Sequence, residues 1–287
     1  MRTPNQYIRD LGKRAKEQRG VFILYSILRL LVVLILIRTI ILHNYEASIT
    51  CLLVLALFFV PTLLEETLKI KIPALLEGII YCFIFAAEIL GELGHFYTQF
   101  PIWDTMLHTL NGFLFAAVGF STVELLNRTS KNIKLSPLYL TMVAFCFSMT
   151  IGVLWEFFEC GADIFLHQDM QKDFIVDHFQ SVTLDPTHSQ EVIRVEDITG
   201  TVIHSASGDF TIDGGYLDIG ILDTMKDLLV NFIGAIVFCS FGFAFLKYGE
   251  NRKVANKVVQ GLTLKVEPGA EAEAQTEAET DVEKEEV

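Results

Sequence analysis

VFILYSILRLLVVLILIRTIIL, residues 21–42, decides the fold. An α-helix rises about 1.5 Å per residue, so this run can reach across the roughly 30 Å hydrocarbon core of a bilayer. A soluble domain would spread its apolar residues in short periodic stripes instead. Comparable runs follow along the chain, and the pattern predicts membrane-spanning helices at 21–42, 47–64, 74–95, 103–126, 137–165 and 222–247. Pro73 and Pro101 stand at or just before helix starts, where a missing N–H costs little. Pro61 falls inside the second span and is expected to kink it or end it early. The fold class is an all-α integral membrane protein: six transmembrane helices with a small extracytoplasmic β-hairpin insertion.

Lys and Arg fix an orientation. The basic segment 1–20 carries six of them, and further bases cluster at Lys69 and Lys71, at Arg128, Lys131 and Lys134, and at Lys247, Arg252, Lys253 and Lys257. The alternate connections are nearly free of bases, the long 166–221 loop holding only Lys172 and Arg194. By the positive-inside rule both termini are cytoplasmic and the 166–221 loop domain is outside. The division is then a cytoplasmic segment 1–20, helices one to five over 21–165, the outer loop 166–221, helix six at 222–247 and a tail at 248–287. From Glu267 the tail has nine acids against one base and accounts for −8 of the net −13. It has too little apolar surface to offset its ordering entropy and is expected to be disordered. The five cysteines lack metal-finger spacing and read as small hydrophobes. Arg29, deep in the first span, is expected either to pair with a carboxylate or to mark a later start of that span. In the outer loop, VIRVEDITGTVIHS (192–205) reads as a hairpin turning at Thr199-Gly200, with Gly208, Gly214 and Gly215 as further turns.

Polar residues at helical spacing mark four helix ends. Glu88, Glu92 and His95 end the third helix, and Asp104, His108 and Asn111 begin the fourth. Glu156, Glu159 and Asp163 end the fifth; Asp223, Asp227 and Asn231 begin the sixth, with Lys226 beside them. Each set forms a stripe on one helix face. The orientation set by Lys and Arg puts all four stripes in the non-cytoplasmic half. Singly, such residues cap helices or meet the interface, and Asp104 and Asp223 suit the positive end of a helix dipole. As a set they are costly: an ionisable group at mid-membrane costs roughly 2.5–3.5 kcal/mol on insertion scales. Facing carboxylates also repel one another unless a cation or shared protons intervene. An internal echo accompanies them, Trp103-Asp104-Thr105-Met106 against Leu222-Asp223-Thr224-Met225. It suggests two parallel repeats about an axis along the membrane normal.

Asp104-x3-His108, Trp155-Glu156-x2-Glu159 and Asp223-Thr224-x2-Asp227 resemble the pattern of YjdF-like bacterial membrane proteins. More remotely, Asp104-x3-His108 with Asp227-x3-Asn231-x2-Gly234 is similar to VanZ-like proteins, which are associated with resistance to lipoglycopeptide antibiotics. The resemblance covers approximately 75–247, and the long outer loop and acidic tail depart from it. It implies a bacterial cell membrane location and a polar helical core, and brings no reaction with it.

Three functions fit the residues. The first is a metal-dependent enzyme acting on a lipid or lipid-linked substrate. Glu92, His95, Asp104, His108, Glu159, Asp223 and Asp227 would be ligands for a divalent Zn, Mn or Fe ion, with Glu156 and Lys226 as catalytic groups. Glu88, Asn111, Asp163 and Asn231 would line the site. The second is a cation or proton-coupled transporter, against which the almost purely apolar cytoplasmic halves of the spans argue. The third is a non-catalytic interaction protein. Membrane lipids are the expected partners, no nucleic acid is implied, and oligomeric state is not readable.

Overall fold

The computed structural model describes residues 19–129, 134–249 and 253–266. The expectations for the first 18 residues and for the acidic stretch 267–287 lie outside the described residues. The chain divides into two compact units, 1–150 with 230–287, and 151–229. Both boundaries fall within long helices.

Among the described residues six helical stretches are long and apolar enough to cross a membrane: Arg19–Ile41, Tyr45–Leu68, Ala74–Leu93, Trp103–Arg128, Pro137–Leu166 and Ile221–Tyr248. The first is α1 (Arg19–Ile41). The second is broken into α2 (Tyr45–Leu57) and α3 (Val60–Leu68), with Pro61 at the start of α3. Proline lacks an N–H and its ring crowds the carbonyl four residues back, here that of Leu57. Asn44 caps α2 by accepting a hydrogen bond from the Ala47 N–H at 3.1 Å. Lys69, left-handed with φ 52°, ends α3 and leads into β1 (Ile70–Lys71).

The third span starts as α4 (Ala74–Ile84), where Pro73 precedes the first turn. It continues as a π-helix over Phe85–Leu93, closed by the Gly94 N–H donating to the Ile89 carbonyl five residues back. The helix expected to run to residue 95 therefore stops at Leu93, and His95 (φ 57°) begins the short α5 (Phe96–Gln99). After it come α6 (Trp103–Thr129), α7 (Pro137–Leu166) and α8 (Ile221–Tyr248). Gly249, with φ 56°, ends α8. Residues 253–266, expected within a disordered tail, instead form α9 (Lys253–Leu262) and β8 (Lys265–Val266).

The first unit has two apolar cores. One, from α1, α2, α4 and the π segment, holds Val32, Cys51, Val54, Phe58 and Tyr81. The other, from α4, α6, α7, α8 and α9, is centred on Phe120 and Phe238, whose ring centroids lie 5.9 Å apart. There α6 and α8 run parallel, since Gly112 meets Asn231, Gly234 meets Phe113, and Gly242 meets Phe120. α9 buries Ala255, Val259 and Leu262, one helical stripe, and β8 pairs antiparallel with β1. Arg29 donates to the Tyr25 hydroxyl at 2.9 Å and lies 5.0 Å from the Phe59 ring centroid. Among the described residues aromatic rings, rather than a carboxylate or a shifted helix start, accommodate it.

The second unit contains the ends of α7 and α8 and a loop of three antiparallel strand pairs. These are β2 (Ile175–Val176) with β7 (Tyr216–Leu217), β3 (Phe179–Ser181) with β4 (Ile193–Val195), and β5 (Gly200–Ser205) with β6 (Gly208–Asp213). The hairpin exists but turns at Ala206-Ser207, where Ser205 opposes Gly208. Thr199 precedes β5, which Gly200 begins, and Ile193–Val195 pairs elsewhere. Gly208 has φ 125°, which few residues other than glycine adopt, so the turn closes there.

Candidate polar site at the helix ends

In the first unit Asp104 lies in the first turn of α6, at the positive end of the helix dipole. One turn further, His108 Nε2 is 3.4 Å from Asp104 Oδ1, with side-chain exposures of 10% and 23%. Each offers an atom a metal ion could take. Asn111 Nδ2 donates to Asn231 Oδ1 at 3.2 Å, and Asn231 Nδ2 reaches Met149 Sδ at 3.6 Å. Asn231 is 1% exposed, so these contacts replace water for a fully buried amide. Ser148 on α7 donates to the Gly112 carbonyl at 2.7 Å. Asn111 and Asn231 thus tie α6 to α8 beneath the Asp104–His108 pair.

The third-helix residues behave differently. Glu88 is half-buried in the π segment, whereas Glu92 and His95 are exposed. The stripe ends at Glu92, because His95 lies beyond the helix in a left-handed turn, its carbonyl accepting from the Thr98 hydroxyl at 3.0 Å.

In the second unit Glu156 and Glu159 are buried on α7, at 4% and 8% exposure. The Trp155 indole donates to Glu159 Oε1 at 2.8 Å. Asp163, expected to line the site, instead closes the loop: its two carboxylate oxygens accept the N–H groups of Met170 at 2.5 Å and Gln171 at 2.9 Å. On α8, Asp223 and Asp227 are 4% and 1% exposed. Lys226 Nζ donates to Asp223 Oδ1 at 2.7 Å and lies 3.6 Å from Asp227 Oδ1. Asp223 Oδ2 also accepts the Lys172 N–H at 2.9 Å, and the Lys226 ammonium sits 5.7 Å from the Phe174 ring centroid. Burying charges costs several kcal/mol per ion unless each gains good partners. Lys226, the loop backbone and the indole supply part of that compensation.

Sequence reasoning missed Asp218. It is 8% exposed and accepts the N–H groups of Phe174 at 2.6 Å and Leu222 at 2.8 Å, tying β7 and the entry to α8 to the start of the loop. It also accepts the Gly220 N–H at 3.3 Å, so an Asp two residues before a glycine at a helix entry forms a local turn of a kind the chain makes legible.

A family model described as a predicted membrane protein, DUF2238, matches residues 23–248. No curated protein and no solved structure matches the chain. The YjdF-like resemblance names this same family, while the VanZ-like resemblance gains no support. With the match spanning all six apolar helices and the polar residues at their ends, the chain belongs to the DUF2238 family of membrane proteins.

Proposed function

We propose that the protein is a metal-dependent membrane enzyme acting on a lipid or lipid-linked substrate in the outer leaflet of a bacterial cell membrane, with both termini in the cytoplasm. The observation that carries this reading is the burial of carboxylates at the ends of membrane helices. Asp223 and Asp227 reach 4% and 1% exposure and Glu156 and Glu159 reach 4% and 8%. Carboxylate oxygens and a neutral imidazole are donors suited to Zn, Mn or Fe. Asp104, His108, Glu159, Asp223 and Asp227 are the proposed ligands, and the exposed Glu92 and His95 would be peripheral ones. A bound divalent ion would supply Lewis acidity and a more acidic water. Lys226 would balance the charge of a substrate phosphate, and Glu156 would hold or accept a proton.

Metal analysis of the purified full-length protein, beside the Asp104→Ala/Asp227→Ala variant, tests the reading. Stoichiometric metal in the parent and its loss in the variant are expected. Absence of metal from a parent loaded with Zn, Mn or Fe would sink the proposal. Proton or cation flux in liposomes, abolished by the same pair of changes, would favour a transporter instead.

A further inference from the structure

The first unit contains a cavity of about 550 Å³ between α1, α4 and α6. Its wall is hydrocarbon, formed by Gly20, Leu24, Gly78, Cys82, Ala86 and Leu110 among others. Along α4 and into the π segment it runs from Ala74 to Ala86, about 18 Å at roughly 1.5 Å per residue, slightly more than the roughly 15 Å of one leaflet. At its floor α1 packs closely on α4: a Cβ at the buried Gly78 would meet Leu24 Cδ2 at 3.6 Å and Val21 Cγ2 at 3.8 Å. The groove is open along one side, and its almost wholly apolar wall offers no partner to a polar group, so hydrocarbon is the occupant its chemistry suits.

The two ends differ in charge. Arg19 precedes Gly20, and Lys69 and Lys71 stand in the turn before α4. The exposed Glu66, and Glu77, which accepts from the Tyr81 hydroxyl, lie on the same stretch, so bases outnumber acids there without excluding them. α9 packs on the same end, its Gly261 lying against Leu75, and exposes Lys253 and Lys257 opposite the stripe it buries. Toward the other end, Ala86 and Met106, no Lys or Arg occurs anywhere between residues 72 and 127.

We infer that this groove binds one acyl chain of an anionic phospholipid, with the headgroup at the basic end formed by Arg19, the Lys69–Lys71 turn and α9. A chain of one-leaflet length fills the hydrocarbon wall while its phosphate meets the basic residues, an arrangement that a neutral lipid completes only in part.

Cys82 lines the groove, and Cys146, also exposed, lies on α7 outside its wall. Thiol alkylation of the full-length protein in detergent, resolved by site with mass spectrometry, reads occupancy without any substitution. Dioleoylphosphatidylglycerol at ten times its dissociation constant should slow modification of Cys82 about tenfold and leave Cys146 unchanged. Equal protection by dioleoylphosphatidylcholine, or equal slowing at both cysteines, would reduce the groove to non-selective lipid contact and overturn the inference. Protection by free oleate matching that by the phospholipid would overturn the headgroup part. An Arg19→Gln/Lys71→Gln variant should keep the lipid-free rate at Cys82 and lose the preference for the anionic lipid.

Discussion

A methyl group added at Gly112 would sit 2.0 Å from the Asn231 carbonyl oxygen, and one at Gly234 would sit 2.0 Å from that of Thr109. Backbone stands on the far side of both contacts, so no side chain can swing away. Gly112→Ala or Gly234→Ala should destabilise the protein by about 1–3 kcal/mol or more, read as a lowered Tm in detergent. Gly161→Ala, which meets nothing within 4 Å, should be neutral or stabilising by up to about 1 kcal/mol, as expected for alanine in a helix. The hydrogen bond between Asn111 and Asn231 lies at this crossing. A double-mutant cycle to Leu should give a coupling of about 0.6 kcal/mol, with an upper bound near 1.7 kcal/mol. Asp104, His108 and Asn231 were legible in the chain because a polar residue in an apolar run announces itself. The glycines were not, since a lone glycine in a helix reads only as a local cost. The offset of 119 residues from Asp104 to Asp223 and from His108 to Asp227 also separates Gly112 from Asn231, which touch. The other close contacts of α6 with α8, Thr109 with Gly234 and Phe120 with Gly242, fall at different offsets.

Apolar run length made all six spans readable, while the winding of the third was hidden. Hydrophobicity reports which face is buried, not whether a carbonyl bonds four or five residues on, so the π segment at Phe85–Leu93 left no trace in the pattern. The hairpin was misplaced by several residues because Thr-Gly satisfies the same turn chemistry as Ala206-Ser207 followed by Gly208. α9 was missed because its stripe of Ala255, Val259 and Leu262 was read together with the charged tail behind it. Within the loop, Asp185 is 2% exposed and anchors the segment up to Glu191. The Thr187 hydroxyl and N–H, then the N–H groups of Glu191 and Ser189, hold its carboxyl well below the usual carboxylate range. A depressed folded-state pKa contributes stability that is complete above the ordinary value of about 3.9 and is lost as pH falls through the folded value. Amide exchange at 185–191 should therefore stay slow from neutral pH down to about pH 4. Asp185→Asn should speed it already at pH 7, while exchange in β5 and β6 is unchanged.

For the molecule as a whole, the proposed orientation makes a prediction independent of any metal. Ser207→Cys, at the tip of the β5–β6 hairpin, should react with a membrane-impermeant maleimide on intact cells. Lys257→Cys, on the exposed face of α9, should react only after permeabilisation, and the reverse result would invert the topology. Charge is divided unevenly along the chain: residues 151–229 contain fifteen acids against three bases, a net of −12, which with the acidic tail is partly offset by an excess of bases elsewhere. The loop 167–220 alone carries ten acids against two bases, a net of −8. In the proposed orientation that loop crosses the bilayer once, unfolded, during biogenesis. An inside-negative membrane potential is worth about 2.3 kcal/mol per charge per 100 mV, or roughly 18 kcal/mol per 100 mV for eight net negative charges moving outward. With that orientation the acids that cap and knit the folded loop would also act as an electrophoretic handle, and collapsing the potential should slow export of this segment more than it slows insertion of the helices around it.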